Sequence, residues 1–417
     1  MSPSAKYVVL SNGHGEDLVA RRVCSALFAI NPALHLQVFP LVGHGVTYKR
    51  HLSSNKNFTL LEPTKIFPSG GFCFTSLRWL IADLRCGLIP FFIIQFKTII
   101  NSTRDQSIII LAVGDFLPLL LAWLTGRNYV YIHTKKSDHM WLHSRPRPRF
   151  FWFRLLGSNW NLCEILLSRS SRCISVFTRD AVSAHNLLKY GIKAFAANPM
   201  MDSIALHDPS LVNLHRPSIL CLPGSRINDI RPNLLRLLRV FQNSVGYHSF
   251  PLSIYIPLAS KSHIAVLVDI VQELFPTLTP HYVDSPSFNL PVSNHTPLDI
   301  YYGVSMLKHW TAHSPFALSM AGTATEQVAG AGVKVFSIPG DGAQFNFRFA
   351  KRQQRLLGDI VTICRSEHDL IRLLAQSIAE LRAELYVSPG RCCRMYSSGS
   401  SRFIASTILE LGSMSPL

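Results

Sequence analysis

The sequence is poor in acidic side chains. Against 41 lysines and arginines stand 24 aspartates and glutamates, a formal net charge of +17 in 417 residues. Such a balance leaves three classes of partner: nucleic acid, an anionic membrane surface, or phosphorylated substrates. No nucleic-acid signature is present, and the basic residues are spread rather than gathered into a tail, so nucleic acid is set aside. Cysteine is also sparse: nine residues with no CxxC pair and no His-Cys cluster, the adjacent Cys392 and Cys393 having no metal spacing. This excludes a disulfide framework and a zinc module, and predicts reduced thiols in a cytoplasmic compartment. A secretory leader is not expected, because Lys6 leads straight into a strand without an apolar h-region or a small-residue cleavage site. The longest apolar run, "IIILAVGDFLPLLLAWL" at 108–124, is broken by Gly114, Asp115 and Pro118. It reads as strand, tight turn and helix rather than a membrane span. Internal repeats and low-complexity tracts are missing.

What the chain does have is alternation. "YVVLSN", "LQVFPLV", "SIIILAV", "NYVYIHT" and "RCISVFT" read as strands, separated by helical patterns at 16–30 and 117–125 and followed by "RDAVSAHNLLKYG", where Gly191 supplies a helix end. After a linker-like stretch near 203 a second set follows: "SILCLPGS", "LSIYIPLA", "LDIYYG", "PFALSMAG" and "VKVFSIPG", with helices at 230–244, 261–275 and 323–331, then 366–386 and 402–412. Strands alternating with helices mean βαβ units and parallel sheets covered on both faces. The expectation is an α/β chain of two doubly wound lobes with a cleft between them. The first lobe spans 1–203 and the second 204–400, and a helix at 401–417 is free to return to the first lobe. At 48% hydrophobic and a mean hydropathy of +0.20, the composition is ample for two cores.

In open α/β sheets ligands bind beyond the carboxyl ends of the strands, and the chemistry-bearing stretches fall there. In "LPGSRINDI" a strand ends at a turn, so Gly224, Ser225 and a helix N-terminus offer N–H groups to a phosphate and Arg226 adds a planar cation. The plainer reading is a turn at Gly224, a cap at Ser225 and Arg226 in solvent. In "SMAGTATEQ" the small Gly322, Thr323 and Ala324 admit a ligand to the backbone. Glu326 suits a ribose diol, although Thr-x-x-Glu is also a capping box. "PGDGAQFNFRFAKRQQRLLG" puts Gln344 and Asn346 in a polar loop suited to diphosphate or sugar, with Asp341, Arg348, Gln353 and Gln354 nearby. It reads equally as a solvated loop and helix face. At the first strand–helix turn, Gly13 and Gly15 flank His14, with Glu16 and Asp17 following. The glycines let an acceptor approach the backbone, and His14 is a competent base near neutral pH. The alternative is a helix capped by Asn12 with two acidic residues in its first turn. Asp115, ending a buried strand, is either a second base or a carboxylate held by the next helix. Finally, the segments at 67–100 and 143–160 are apolar, aromatic and basic, suited to an anionic bilayer or an acyl chain, or to a buried helix and a basic loop.

"LPGSR" followed by "DI", the later "GTATEQ", and "NPMMD" at 198–202 together resemble the lipid-A-disaccharide synthase family. The opening "NGHGEDLVA" is more similar to the subgroup described only as related to that synthase. The match covers most of the chain, strongest over 173–358 and weak over 50–105. It implies the two-lobed GT-B glycosyltransferase fold. It also implies an inverting, metal-independent reaction joining a UDP-activated diacylglucosamine to an acylated glucosamine phosphate. By the same resemblance Arg226 and the "GTATE" helix hold UDP, and Asp115 falls where the family carries an acidic residue. The family's usual glycine- and serine-rich opening is replaced here by Gly13–Asp17, and no Asp-Phe-Asn follows at Asp115.

The expected function is therefore transfer of a sugar from a UDP donor to a lipid-linked or acylated sugar acceptor at the cytoplasmic face of a membrane, without cofactor or metal, since no Asp-x-Asp motif ends a strand. A UDP-sugar 2-epimerase and a non-catalytic nucleotide-sugar or lipid-binding protein remain open on the same fold.

Overall fold

The computed structural model describes residues 6–52, 55–65, 67, 77–139, 159–244, 251–285, 297–340, 345–383 and 399–414. The chain divides into two compact units, Met1–Asp202 with Ser397–Leu417, and Ser203–Tyr396.

Unit 1 is built on strands β1 (Lys6–Ser11), β2 (His35–Pro40), β3 (Phe58–Leu60), β4 (Ile109–Gly114), β5 (Asn128–His133), β6 (Cys173–Thr178) and β7 (Ala194–Ala196). They form one parallel sheet in the order β3-β2-β1-β4-β5-β6-β7. Its helices are α1 (His14–Ile30), α2 (Val46–Leu52), α3 (Leu77–Arg85), α4 (Leu88–Ser102), α5 (Phe116–Leu124), α6 (Leu162–Ser168) and α7 (Ala181–Leu188). The uninterrupted apolar strands follow from burial on both faces. Along β1, Tyr7 and Val9 enter one apolar cluster with α1, while Val8 and Leu10 enter the other with Leu119 and Leu121 of α5. The apolar run at 108–124 resolves into β4, a turn at Gly114–Asp115 and α5. Among the described residues no helix is long and apolar enough to cross a membrane.

Unit 2 repeats the plan. Strands β8 (Ser218–Leu222), β9 (Leu252–Leu258), β10 (His281–Tyr282), β11 (Leu298–Val304), β12 (Phe316–Ser319), β13 (Lys334–Ser337) and β14 (Val361–Ile363) form a second parallel sheet, in the order β10-β11-β9-β8-β12-β13-β14. Helices α8 (Ile227–Ser244), α9 (Ile264–Leu274), α10 (Leu307–His313), α11 (Thr323–Gly330), α12 (Phe347–Leu357) and α13 (Glu367–Arg382) connect and cover it.

The last helix, α14 (Ser400–Met414), belongs to unit 1. Ile404, Ala405 and Ile408 join the cluster around α1, and the Phe403 ring packs edge-on against Phe177 and Phe195. The "NPMMD" stretch explains its start: the Asp202 carboxylate accepts from the backbone N–H groups of Ser400 at 2.9 Å and Ser401 at 2.6 Å, satisfying donors that a helix leaves open. The motif therefore has a capping role in unit 1.

The apolar segment at 67–100 forms α3 and α4 where it is described, and its residues 68–76 lie outside the described set. Helix α4 is apolar on both sides: isoleucines stand exposed on its outward face, while Ile99 and Gln95 are buried on the inward one. Ile89, Ile93 and Ile94 are 60%, 49% and 51% exposed, while Gln95 is buried and donates its amide to the Leu41 carbonyl at 3.1 Å. Of the basic-aromatic stretch, residues 143–158 lie outside the described set.

Candidate functional site

The strand order diverges between β1 and β4 in unit 1 and between β8 and β12 in unit 2. At such a switch point the flanking connections leave in opposite directions and open a crevice beyond the strand ends. Both crevices are lined by stretches that the sequence singles out.

In unit 1, β1 and β4 run side by side to Ser11 and Val113, which brings "SNGHGED" against "AVGD". Asp115 caps α5, its Oδ1 accepting from the Leu117 N–H at 3.3 Å and from Asn12 Nδ2 at 2.5 Å. Its Oδ2 accepts from Lys135 Nζ at 2.6 Å. Lys135 follows the end of β5 and reaches a second carboxylate, Glu16 Oε1, at 3.7 Å. Burial lowers the Lys135 ammonium pKa, but Glu16 and Asp115 more than reverse this and leave it raised. Burial pushes the Glu16 carboxyl up against the downward pull of Lys135, and Asp115 adds to the rise. Two glycines make this packing possible. A Cβ on Gly13 would sit 2.7 Å from Glu16 Oε2, and one on Gly114, whose φ is +137°, would sit 2.0 Å from Asn12 Oδ1.

Asp17 belongs to a different environment. It is 5% exposed and takes a hydrogen bond from Ser11 Oγ at 2.6 Å, and that hydroxyl lies 2.7 Å from the Tyr48 hydroxyl of α2. Burial, opposed by the Ser11 hydrogen bond, raises its pKa to about 7. The second lysine after β5, Lys136, pairs with the buried Glu164 of α6.

In unit 2, β8 and β12 are paired to Leu222 and Ser319, which brings "LPGSR" against "AGTATEQ". Gly224 turns the chain at φ +97°. The carbonyl of Arg226 accepts the first helical bonds of α8, from Asp229 and Ile230 at 3.1 and 3.0 Å. Arg226, not Ser225, is thus the residue at the helix opening, and burial lowers its pKa from the usual guanidinium value. Three loop carbonyls are tied back by helix side chains. Asn233 Nδ2 donates to Pro223 O at 2.8 Å, Arg236 Nη1 to Pro339 O at 2.7 Å, and Gln353 Nε2 to Gly322 O at 2.8 Å. These bonds fix the loops without using the N–H groups that open α8 and α11, the groups a helix N-terminus presents to an anion.

Several expectations are corrected. Gly322 is the N-cap of α11 and makes no side-chain cap. Thr323 is already inside the helix, so Thr323 and Glu326 do not form a capping box; Ala324 lies beside them in the first turn. Asn12 does not cap α1. Gly13 holds that position, and Asn12 spends its amide on Asp115 instead. Asn346 caps α12 through the Phe349 N–H at 3.0 Å. Gln353 and Gln354 both serve carbonyls, Gln354 that of Val361. His14 opens α1 and Gly15 follows it, but nothing of the His14 side chain is described; Gln344 and Asp341 lie outside the described residues. The residue that sequence reasoning missed is Lys135. Its only sequence signal is its place just past a buried strand, because the carboxylates it joins lie far away in the chain. Among the described residues no group of three or more His, Cys, Asp or Glu is arranged to hold a metal.

The sequence matches no protein-family model and no curated protein. Solved structures do match. MurG of Acinetobacter baumannii superposes with a TM-score of 0.55 at 13% identity, over 98% of this chain and 100% of that one. A UDP-glucose:anthocyanidin 3-O-glucosyltransferase in complex with UDP gives 0.53 at 11% identity, over 100% of both chains. A Listeria monocytogenes protein assigned as a UDP-N-acetylglucosamine 2-epimerase gives 0.54 at 11% identity, over 99% of this chain and 98% of that one. Likeness at such identities is likeness of fold. With two parallel, doubly wound seven-stranded units and these neighbours, the chain has the GT-B fold.

Proposed function

We propose that the protein is an inverting glycosyltransferase that moves a sugar from a UDP donor, held by unit 2, to a lipid-linked or acylated sugar acceptor received by unit 1. The observation that carries this is the pairing of opposite chemistries at the two switch points. Unit 2 gathers Arg226 and the openings of α8 and α11, which suit a diphosphate. Unit 1 gathers Glu16, Asp115 and Lys135, which suit a proton.

In such a transfer the acceptor oxygen attacks the anomeric carbon while the bond to the diphosphate breaks, and negative charge grows on the leaving UDP. The helix openings and Arg226 stabilise that charge. They are held in place by Asn233, Arg236 and Gln353, so no reorganisation is needed as the charge develops. Ser225, Gly224, Thr323 and Ala324 line the same ground. Glu326, in the first turn of α11, is assigned to the ribose and Asn346, beside its capping role, to the sugar; Gln344, outside the described residues, is assigned to the sugar from the sequence alone. Gly13, Gly15, Glu16 and Asp17 belong to the acceptor side, with His14 and Asp115 as the proton acceptors the sequence offers.

An acylated glucosamine as donor, and a lipid A precursor as acceptor, rest on the resemblance of "LPGSR" and "GTATEQ" to lipid-A-disaccharide synthase. Attachment to the cytoplasmic face of a membrane is supported by the outward isoleucines of α4 and by the chain's positive charge.

A 2-epimerase is the second reading, favoured by the epimerase among the structural neighbours. It acts on a soluble substrate and leaves the apolar face of α4 without a use. UDP release from a panel of UDP-sugars, with and without membrane lipid extract, separates the two. Lipid-dependent release is the transferase result, and a lipid-independent epimer is the epimerase result.

A further inference from the structure

Of the groups at the unit 1 switch point, one carboxylate is committed and one is poised. Asp115 accepts three N–H donors: the α5 backbone, the Asn12 amide and the Lys135 ammonium, the last two at 2.5 and 2.6 Å. These bonds engage both oxygens of the Asp115 carboxylate within the protein. Glu16 is held more loosely. Its Oε1 lies 3.7 Å from Lys135 Nζ, beyond hydrogen-bond length, and its Oε2 folds back over Gly13 into the space a Cβ would fill. Gly13 therefore serves Glu16, which accounts for a glycine beside His14 at the strand end.

Resting on the transferase reading above, we propose that Glu16 is the proton acceptor of the reaction, and that Asp115 and Lys135 are positioning residues. The acceptor hydroxyl gives its proton to a Glu16 oxygen as its own oxygen forms the new bond to the anomeric carbon. The bond from that carbon to the β-phosphate oxygen breaks, and the electron pair leaves with UDP. Lys135 is shared between two carboxylates, so it orients Glu16 and opposes the effect of its burial, while the hold of Asp115 on Lys135 leaves Glu16 only loosely paired. The charged groups acting on Glu16 are Lys135 from the segment after β5 and Asp115 from the start of α5. The neighbouring Asp17 feels its charge. Burial raises the Glu16 carboxyl from its ordinary value, which makes it a stronger base than an exposed glutamate.

The test compares Glu16→Gln, Glu16→Asp, Gly13→Ala and Asp115→Asn in the full chain. UDP release is followed against pH with UDP-diacylglucosamine, UDP-N-acetylglucosamine and UDP-glucose in the presence of membrane lipid extract, and UDP binding is measured by calorimetry. The expected result is a loss of about a hundredfold or more in Glu16→Gln, the scale of general-base catalysis. UDP affinity should be unchanged and the acid limb of the pH profile gone. Glu16→Asp should recover part of the rate. Gly13→Ala both strains a backbone held at φ +156° and pushes on the flexible end of the Glu16 side chain, so it should lose rate by displacing the carboxylate, while Glu16→Gln and Glu16→Asp carry the test if it fails to fold. Asp115→Asn should keep an acid limb. A Glu16→Gln enzyme with normal rate or an intact acid limb overturns the assignment while leaving the transferase reading standing. A wild-type chain that neither binds UDP nor releases it overturns both.

Discussion

Gly114→Ala tests whether the unit 1 site is built as described. The new Cβ would lie 2.0 Å from Asn12 Oδ1 and 3.3 Å from Pro118 Cγ, in a backbone conformation, φ +137°, that side chains rarely adopt. The backbone contributes roughly 1–3 kcal/mol of strain. Driving the Asn12 amide away from Asp115 forfeits a hydrogen bond to a charged group, about 1.5–3 kcal/mol. The sum is roughly 2.5–6 kcal/mol of unit 1 stability. The two parts separate in a double-mutant cycle with Asn12→Ala, where the collision partner is gone and only the backbone part remains. Urea unfolding followed by fluorescence in a Trp310→Phe background reads unit 1 alone, because the remaining tryptophans all fall within it. The expected coupling is about 1.5–3 kcal/mol. Costs that add to within about 0.5 kcal/mol would refute the link between Gly114, Asn12 and Asp115.

Other outcomes follow from the same geometry. Arg226→Ala should weaken UDP binding by about 1.5–3 kcal/mol, roughly 10- to 150-fold by calorimetry, and unchanged affinity would remove Arg226 from the donor site. Asp17, raised to about 7 in the folded state, holds its proton more tightly there than in the unfolded chain. Its contribution is therefore full at low pH and is lost as pH rises toward and through 7, by up to roughly 4 kcal/mol; Asp17→Asn should flatten the decline of unit 1 stability with pH, and an unchanged slope would contradict the burial argument. Asp202→Ala should lower hydrogen-exchange protection of α14, since two N–H groups lose their cap at about 1 kcal/mol or more, and full protection would show the cap to be dispensable. Binding to anionic vesicles should fall with rising salt and with Ile89, Ile93 and Ile94 changed together to Ser, whereas equal binding to neutral vesicles would oppose the membrane reading.

The fold was legible because burial on both faces writes parallel strands as short apolar runs, as in "YVVL" and "SIIILAV", and helices intervene at regular length. The candidate site was legible only in part. Strand ends can be read, so Asp115, Arg226 and Gly322 stand out by position alone. Partners distant in the chain cannot. Asn12 looks like a cap because caps are local, yet its amide is taken by a carboxylate 103 residues on. Lys135 has no neighbour in sequence that marks it, since its role exists only once β1, β4 and β5 lie side by side. Thr323 and Glu326 have the spacing of a capping box but begin one residue too late, because Gly322 already turns the chain. The outward apolar face of α4 has the composition of a buried helix, and its orientation is set by the burial of Gln95 and Ile99, which the sequence does not mark.

Sugar transfer from a UDP donor to a lipid acceptor is open to a direct assay. The direct measurement uses the purified chain with UDP-diacylglucosamine, UDP-N-acetylglucosamine and UDP-glucose, each labelled in the sugar, together with membrane lipid extract, followed by phase separation and analysis of both phases. A transferase puts label into the lipid phase with one UDP released per sugar and an inverted anomeric linkage. Label remaining on the nucleotide as the 2-epimer, or no label leaving the donor at all, would contradict the transferase reading.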